Sequence, residues 1–242
     1  MAGDWGCLQC GSKFQSHFTF CSGCWSSGSL IPIPRRTPAL MDSQPSISTA
    51  RRVLRQGWKT YEVPAYPDLV VGAGAIVMVA GQPGSGKSTI SAKASDSIPG
   101  PAVLVSAEEG ISPSLAARLI RANIKRDDFH IISRASVDQV VSFACQNKAK
   151  SLVVDSVHEC AWTASELRHA MSMIPSLDVL FAVLQVNKLG EPAGSMTLQH
   201  EADVLIGVEA MRWRLLKSRY QSIDGVGGEV LPPSESTSNE EP

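Results

Sequence analysis

The sequence predicts an α/β domain with a mainly parallel central sheet flanked by helices, preceded by a small cysteine-rich module. Three observations carry that prediction. From residue 65 onward, short apolar runs alternate with stretches of helical spacing, the pattern of strands buried on both faces between crossover helices. One of these runs passes directly into a glycine-rich loop, GQPGSGKST at 81–89. Four of the six cysteines are crowded into residues 7–24.

The apolar runs lie at 75–80 (AIVMVA), 102–106 (AVLVS), 151–155 (SLVVD), 179–185 (VLFAVLQ) and 202–208 (ADVLIGV). Each is short, apolar and rich in β-branched residues, as expected of interior strands. Helices are expected in the gaps, over 87–97, 113–122, 136–147 and 163–174, and a late hairpin pairs 209–218 with 228–231. These boundaries give a cysteine module at 1–31, a linker at 32–64 with a short helix at 48–58, the α/β domain at 65–233, and a solvated acidic tail at 234–242. No internal repeat is found.

Composition sets the outer limits. Of 242 residues, 43% are hydrophobic and 19% charged, which supports a core and excludes global disorder. Lys and Arg number 22 against 23 Asp and Glu, so a polycationic nucleic-acid coat is excluded and any such contact must be a local patch. No apolar run approaches membrane-spanning length, and the N-terminus lacks the basic-then-apolar signal pattern. A cytoplasmic protein with no membrane partner is expected.

The segment 81–89 completes the G-x-x-x-x-G-K-S/T pattern with Gly81, Gly86, Lys87 and Ser88. Glycines let the backbone curl so that successive N–H groups face phosphates at the positive end of the next helix. The loop residues Gln82, Pro83, Gly84, Ser85 and Thr89 share in that cradle. Lys87 supplies a point charge for the β- and γ-phosphates, and the Ser88 hydroxyl is placed to ligate Mg²⁺. Nucleoside triphosphate binding, with ATP and Mg²⁺ as the expected pair, follows from the complete pattern in its strand–loop–helix context.

Two acidic positions extend the site. SLVVD ends on Asp155, a carboxylate at a strand's carboxyl end, suited to holding the metal's water shell. AVLVSAEEG places Glu108 and Glu109 just after another strand. Adjacent carboxylates point in different directions, and Glu108 is preferred as the water-activating base.

Cys7-x2-Cys10 and Cys21-x2-Cys24 form two knuckles ten residues apart. Each presents two thiolates on a tight turn, and four thiolates close a tetrahedral shell for structural Zn²⁺. A segment this small has almost no core and depends on its metal to fold. The ribbon's aromatics either stack on unpaired bases or form its mini-core. His17 is expected to be solvated, and Cys145 and Cys160 to be half-buried bystanders.

Taken together, these residues resemble the RecA-like P-loop ATPases, and most closely the RadA (Sms) family of bacterial DNA-repair proteins. The four-cysteine ribbon, GQPGSGKST, LVSAEEG, LVVDSVHE and the stretch from LQVNKLGEPAGSM to LLKSRYQS occur in that family's order over about residues 5–231. The resemblance implies that Gln185 senses the γ-phosphate at a strand end. It also implies that Lys217 and Arg219 match a Lys-x-Arg pair reaching a neighbouring subunit's site. It further implies ATP hydrolysis on single-stranded or branched DNA in a homo-oligomer, as a hexameric ring or a filament. A repair or replication protein partner is expected as well. DNA would meet the loops at 158–165 and 187–200, with Arg212, Arg214, Lys217 and Arg219 adding charge. Beside the family, whose members carry a large C-terminal protease-like domain, these 242 residues are expected to represent a truncated form without it.

Two rivals remain at this level. A small-molecule phosphotransferase would close an arginine-rich lid, and none is evident. A nucleotide-switched adaptor or helicase-loader-like factor would bind ATP with little turnover and recruit its partner through the ribbon.

Overall fold

In the computed structural model of the chain, the residues described are 59–186 and 196–231, with the backbone of three short N-terminal strands. Those strands, β1 (Trp5–Cys7), β2 (Lys13–Phe14) and β3 (Leu30–Pro32), form an antiparallel sheet in the order β2-β1-β3. Cys7 ends β1. Cys10, Cys21 and Cys24, the 48–58 helix, most of the 187–200 loop and the acidic tail lie outside the described residues.

The body begins with an antiparallel hairpin, β4 (Thr60–Val63) and β5 (Tyr66–Gly72). The expected boundary at 64/65 therefore falls inside a hairpin and must be moved to the start of β4. The linker expected at 32–64 rested on its scattered Pro, Ser and Arg, yet Tyr61 and Val63 at its end are buried together with Tyr66, Leu69 and Val71. Tyr66 meets Trp213 edge to face at 5.7 Å and donates its hydroxyl to the Val230 carbonyl at 2.7 Å.

The remaining elements follow as β6 (Ala75–Gly81), α1 (Lys87–Ser97), β7 (Ala102–Ser106), α2 (Pro113–Arg121), β8 (Phe129–Ile132), α3 (Val137–Gln146), β9 (Ser151–Asp155), α4 (Ala164–Met173), β10 (Val179–Gln185), α5 (Met196–Glu201), β11 (Val204–Glu209), β12 (Arg212–Ser218) and β13 (Gly227–Glu229). Eight of these strands form one sheet in the order β13-β12-β11-β6-β10-β9-β7-β8. From β8 through β11 every pairing is parallel, and β12 and β13 add an antiparallel edge.

Alternation along the strands divides the core. Val77, Val79, Phe181 and Val183 face α1, α2 and the β4–β5 hairpin; Met78, Leu152, Leu180 and Ala182 face α3, α4 and α5. Ser112, Ser136 and Thr163 cap α2, α3 and α4 by accepting from backbone N–H groups, which fixes where each helix starts.

Two elements differ from expectation. β8, the sheet's outer parallel strand, is only four residues long and partly exposed beyond Phe129, so it gave no continuous apolar run. The stretch 209–218 is not one strand. It holds the end of β11, a turn at Ala210 and Met211, and β12. Both turn residues have positive φ, 46° and 60°, without the Asn-Gly that usually announces such a turn.

Candidate functional site

The parallel register brings the carboxyl ends of β6, β7, β9 and β10 together. Gln185 stands beside Gly81, and Ser106 beside Asp155. Val186 N donates to Gly81 O at 3.2 Å and Ala107 N to Asp155 O at 2.8 Å, which extends the pairing beyond the strands. Open parallel sheets bind ligands at this edge.

The loop at 82–86 leaves β6 under tight constraint. A Cβ on Gly81 would stand 2.2 Å from the Val208 carbonyl oxygen and 2.6 Å from Ser85 Oγ, so only glycine fits between β11 and the loop. Gly86 closes the loop at φ 104° and is the N-cap of α1. Unlike α2, α3 and α4, α1 has no side-chain cap, and like α2 it has no acid in its first turn, which leaves its first N–H groups for an anion. The β11–β12 turn braces the loop, with Met211 N donating to Ser85 O at 3.1 Å.

Lys87 is 8% exposed and donates its ammonium to the Gln82 carbonyl at 2.7 Å. Burial pushes its pKa below the ordinary lysine value, and the charges of Asp155 and Glu108 pull it back up. Lys87, Ser88, Thr89, Glu108, Asp155 and Gln185 all line one cavity of about 300 Å³. The structure thus brings together the loop, both strand-end acids and the strand-end amide.

Several cavity residues were not anticipated, Arg118, Arg121 and Met211 among them. Arg118, 6% exposed on α2, donates from Nη1 to Asp155 Oδ2 at 2.8 Å, and its Nη2 lies 3.1 Å from Glu109 Oε2. Of the Glu108–Glu109 pair, it is therefore Glu109 that an arginine holds. Arg121, one turn on, is an exposed part of the wall, as is half-buried Met211 at the hairpin turn. The available signal was the spacing of ARLIR, which puts both arginines on one helix face beside an otherwise apolar stripe.

Lys217 and Arg219 are placed elsewhere. β12 runs antiparallel to β11, so Lys217 lies level with Met78, midway along β6, and Arg219 beside Asp203 near Ile76 at its amino end, roughly 10 and 15 Å along the strand from the loop. Lys217 Nζ donates to the carbonyls of Gln199 at 3.1 Å and His200 at 3.4 Å; Arg219 Nη1 pairs with Asp203 Oδ1 at 2.9 Å. Arg212 pairs with Glu229 at 2.7 Å, so the expected basic hairpin is partly neutralised within the chain. Cys145 and Cys160 are half-buried free thiols, and burial, with Asp155 adding, pushes Cys160 up to about 12. Among the described residues, no helix is long and apolar enough to cross a membrane.

A strand, a glycine loop opening an uncapped helix, and carboxylates on neighbouring strand ends define a phosphate-loop α/β domain, and the sheet order is consistent with a RecA-like fold. By sequence the chain is similar to bacterial DNA repair proteins named RadA. It is 25% identical over 267 residues to the DNA repair protein RadA of Pseudomonas aeruginosa, covering 92% of this chain and 56% of that protein. It is 24% identical over 243 residues to RadA of Aquifex aeolicus, covering 89% and 55%, and 28% identical over 183 residues to RadA of Treponema pallidum, covering 66% and 40%. The chain thus spans between 40% and 56% of the length of these curated relatives. No protein-family model matches it.

Proposed function

We propose that the chain is the ATPase part of a RadA-like DNA-repair protein, binding ATP with Mg²⁺ and hydrolysing it in a homo-oligomer on single-stranded or branched DNA. The observation that carries this reading is the single cavity lined by Lys87, Ser88, Glu108, Asp155 and Gln185. The residues fit the ligand: an uncapped helix start and a buried ammonium favour a polyphosphate, and Ser88 with Asp155 is an oxygen donor set suited to Mg²⁺. When bound, the metal neutralises charge developing on the phosphates.

Within that frame Lys87 and the α1 amides hold the phosphates. Glu108, exposed beside Lys87, accepts a proton from the attacking water, and Gln185 contacts the terminal phosphate from the end of β10. Lys217 and Arg219, remote from their own site, complete a neighbour's site in trans, which couples turnover to assembly. The loops at 158–165 and 187–200 contact DNA. Cys7, Cys10, Cys21 and Cys24 hold structural Zn²⁺, and the ribbon meets a repair or replication partner.

The test is ATP hydrolysis by zinc-loaded protein with and without single-stranded DNA, with Lys87→Ala as the blank. DNA-stimulated turnover lost in Lys87→Ala is expected. Tight ATP binding with a rate at the blank level would overturn the hydrolytic reading.

A further inference from the structure

Arg118 presents a problem that the site as described so far does not solve. A cation buried this deeply is costly unless every donor is matched. Asp155 takes one hydrogen bond from Nη1, and Glu109 compensates charge from 3.1 Å, off the line for a hydrogen bond. Nε and Nη2 are left with no hydrogen-bond acceptor among the described residues. At the same helical position, a methionine would complete the apolar stripe begun by buried Leu115 without that cost. The arginine instead stands in the wall of the phosphate cavity, beside the two acids of the β7 and β9 ends.

We propose that Arg118 is a phosphate-contacting residue acting within its own subunit, its guanidinium oriented by Asp155 and Glu109 and its unmatched N–H donors serving the terminal phosphate of the nucleotide. This rests on the reading of the cavity as a nucleoside triphosphate site. The planar guanidinium suits the role, since it can bind a carboxylate along one edge and a phosphate oxygen along another. Its place matches the terminal phosphate and not the nucleoside. Lys87, Glu108, Asp155 and Gln185 surround it on the β7–β9–β10 side, whereas Met211 and Leu231 line the other side of the loop. Arg118 is thus distinct from Arg219, which stands at the opposite end of β6. It lets one subunit tell triphosphate from diphosphate before any neighbour is engaged.

The experiment is equilibrium titration of a fluorescent, non-hydrolysable ATP analogue and of the matching ADP analogue, both with Mg²⁺. The proteins are wild type, Arg118→Met, Arg118→Lys and Lys87→Ala. Arg118→Met should bind the triphosphate about tenfold or more weakly, with ADP affinity within about threefold of wild type, as expected for loss of a charge-assisted contact to one phosphate. Arg118→Lys, a point charge without the fork, should fall between. Equal weakening of both nucleotides, or of neither, would overturn the assignment and leave Arg118 a structural partner of Asp155. Should Arg118→Met fail to fold by thermal unfolding, the same comparison in Arg118→Lys and Arg118→Gln decides. Wild type binding neither analogue would instead defeat the nucleotide reading itself, whereas binding lost in Lys87→Ala but equally discriminating in Arg118→Met defeats only Arg118.

Discussion

Asp203 joins Arg219 to the first turn of backbone in β6: its Oδ1 lies 2.9 Å from the Arg219 guanidinium, and its Oδ2 accepts from Ile76 N at 2.9 Å. The arginine is therefore held at the foot of the strand whose other end carries the phosphate loop. If Arg219 acts only on a neighbour, Arg219→Ala should bind ATP like wild type yet hydrolyse it at least tenfold more slowly. Mixing it with Lys87→Ala should restore turnover, because a mixed oligomer contains sites with an intact loop facing an intact arginine. No recovery over a range of mixing ratios would argue against action in trans.

Lys87 trades stability for binding. Its pKa is lowered chiefly by burial, so the folded state disfavours the charged form. That cost is present throughout the range below the folded pKa and disappears as pH rises above the ordinary lysine value of 10.5. Lys87→Met should abolish nucleotide binding, while the nucleotide-free variant unfolds at or above the wild-type midpoint at neutral pH. A clearly lower midpoint would show that the bond to the Gln82 carbonyl outweighs burial.

Asp155→Asn should lose Mg²⁺-dependent hydrolysis and also stability, since it leaves Arg118 buried beside a neutral amide. Removing one partner of a buried pair costs about 3–5 kcal/mol, and the remaining charge of Glu109 places this case near the low end. Adding Arg118→Met should recover much of the stability and none of the activity. Denaturant unfolding of the three variants tests this, and strict additivity of the two losses would contradict the pairing.

Asp178 ties the β4–β5 hairpin to the body. It accepts from Lys59 Nζ at 3.1 Å and from the Tyr61 hydroxyl, and Lys150 lies 3.5 Å away. Burial pushes its carboxyl up, but the hydrogen bonds from Tyr61 and Lys59 and the charges of Lys150 and Lys59 outweigh it and hold the pKa below the ordinary 3.8. A depressed acid stabilises the fold above its unfolded pKa and loses that contribution as pH falls through the folded value. Asp178→Asn should cost about 1–2 kcal/mol at neutral pH, and the gap should narrow below about pH 3.8 and close once pH has fallen through the lower folded value. A gap that persists to lower pH would mean the carboxylate's charge is not the cause.

The proposed ribbon predicts one zinc per chain by elemental analysis, lost in a Cys21→Ser, Cys24→Ser double variant. Nucleotide affinity should be unchanged, since the phosphate contacts of the reading come from Lys87 and the start of α1 within the α/β domain. Zinc retained in that variant would reassign the ligands.

The phosphate loop, Asp155, Glu108 and Gln185 were legible because each ends an apolar run, and in a parallel sheet the ends of such runs meet by construction. Arg118 was not, because its role depends on where α2 packs: the helix pattern ranks it as one more polar residue, and only the fold places it against Asp155. β4 was read as the end of the linker, since the scattered Pro, Ser and Arg of 32–64 masked a strand that pairs with β5 alone and buries Tyr61 and Val63. The Ala210–Met211 turn carried no glycine or asparagine to mark it. The opposite placement of Arg219 and the loop was likewise invisible, being set by the antiparallel return of β12.

β6 finds its sheet partners late. It pairs with β10 and β11 but with no strand made just before or after it, so its neighbours arrive about a hundred residues further along the chain. Contacts of such long sequence separation form slowly. During synthesis the GQPGSGKST segment must wait, with β6 unflanked on both edges until β10 is made and on one edge until Val208 has left the ribosome. A nascent chain halted between β9 and β10 would hold Asp155 and Glu108 in register yet bind no nucleotide, and the stretch AIVMVA would be its most exposed route to aggregation.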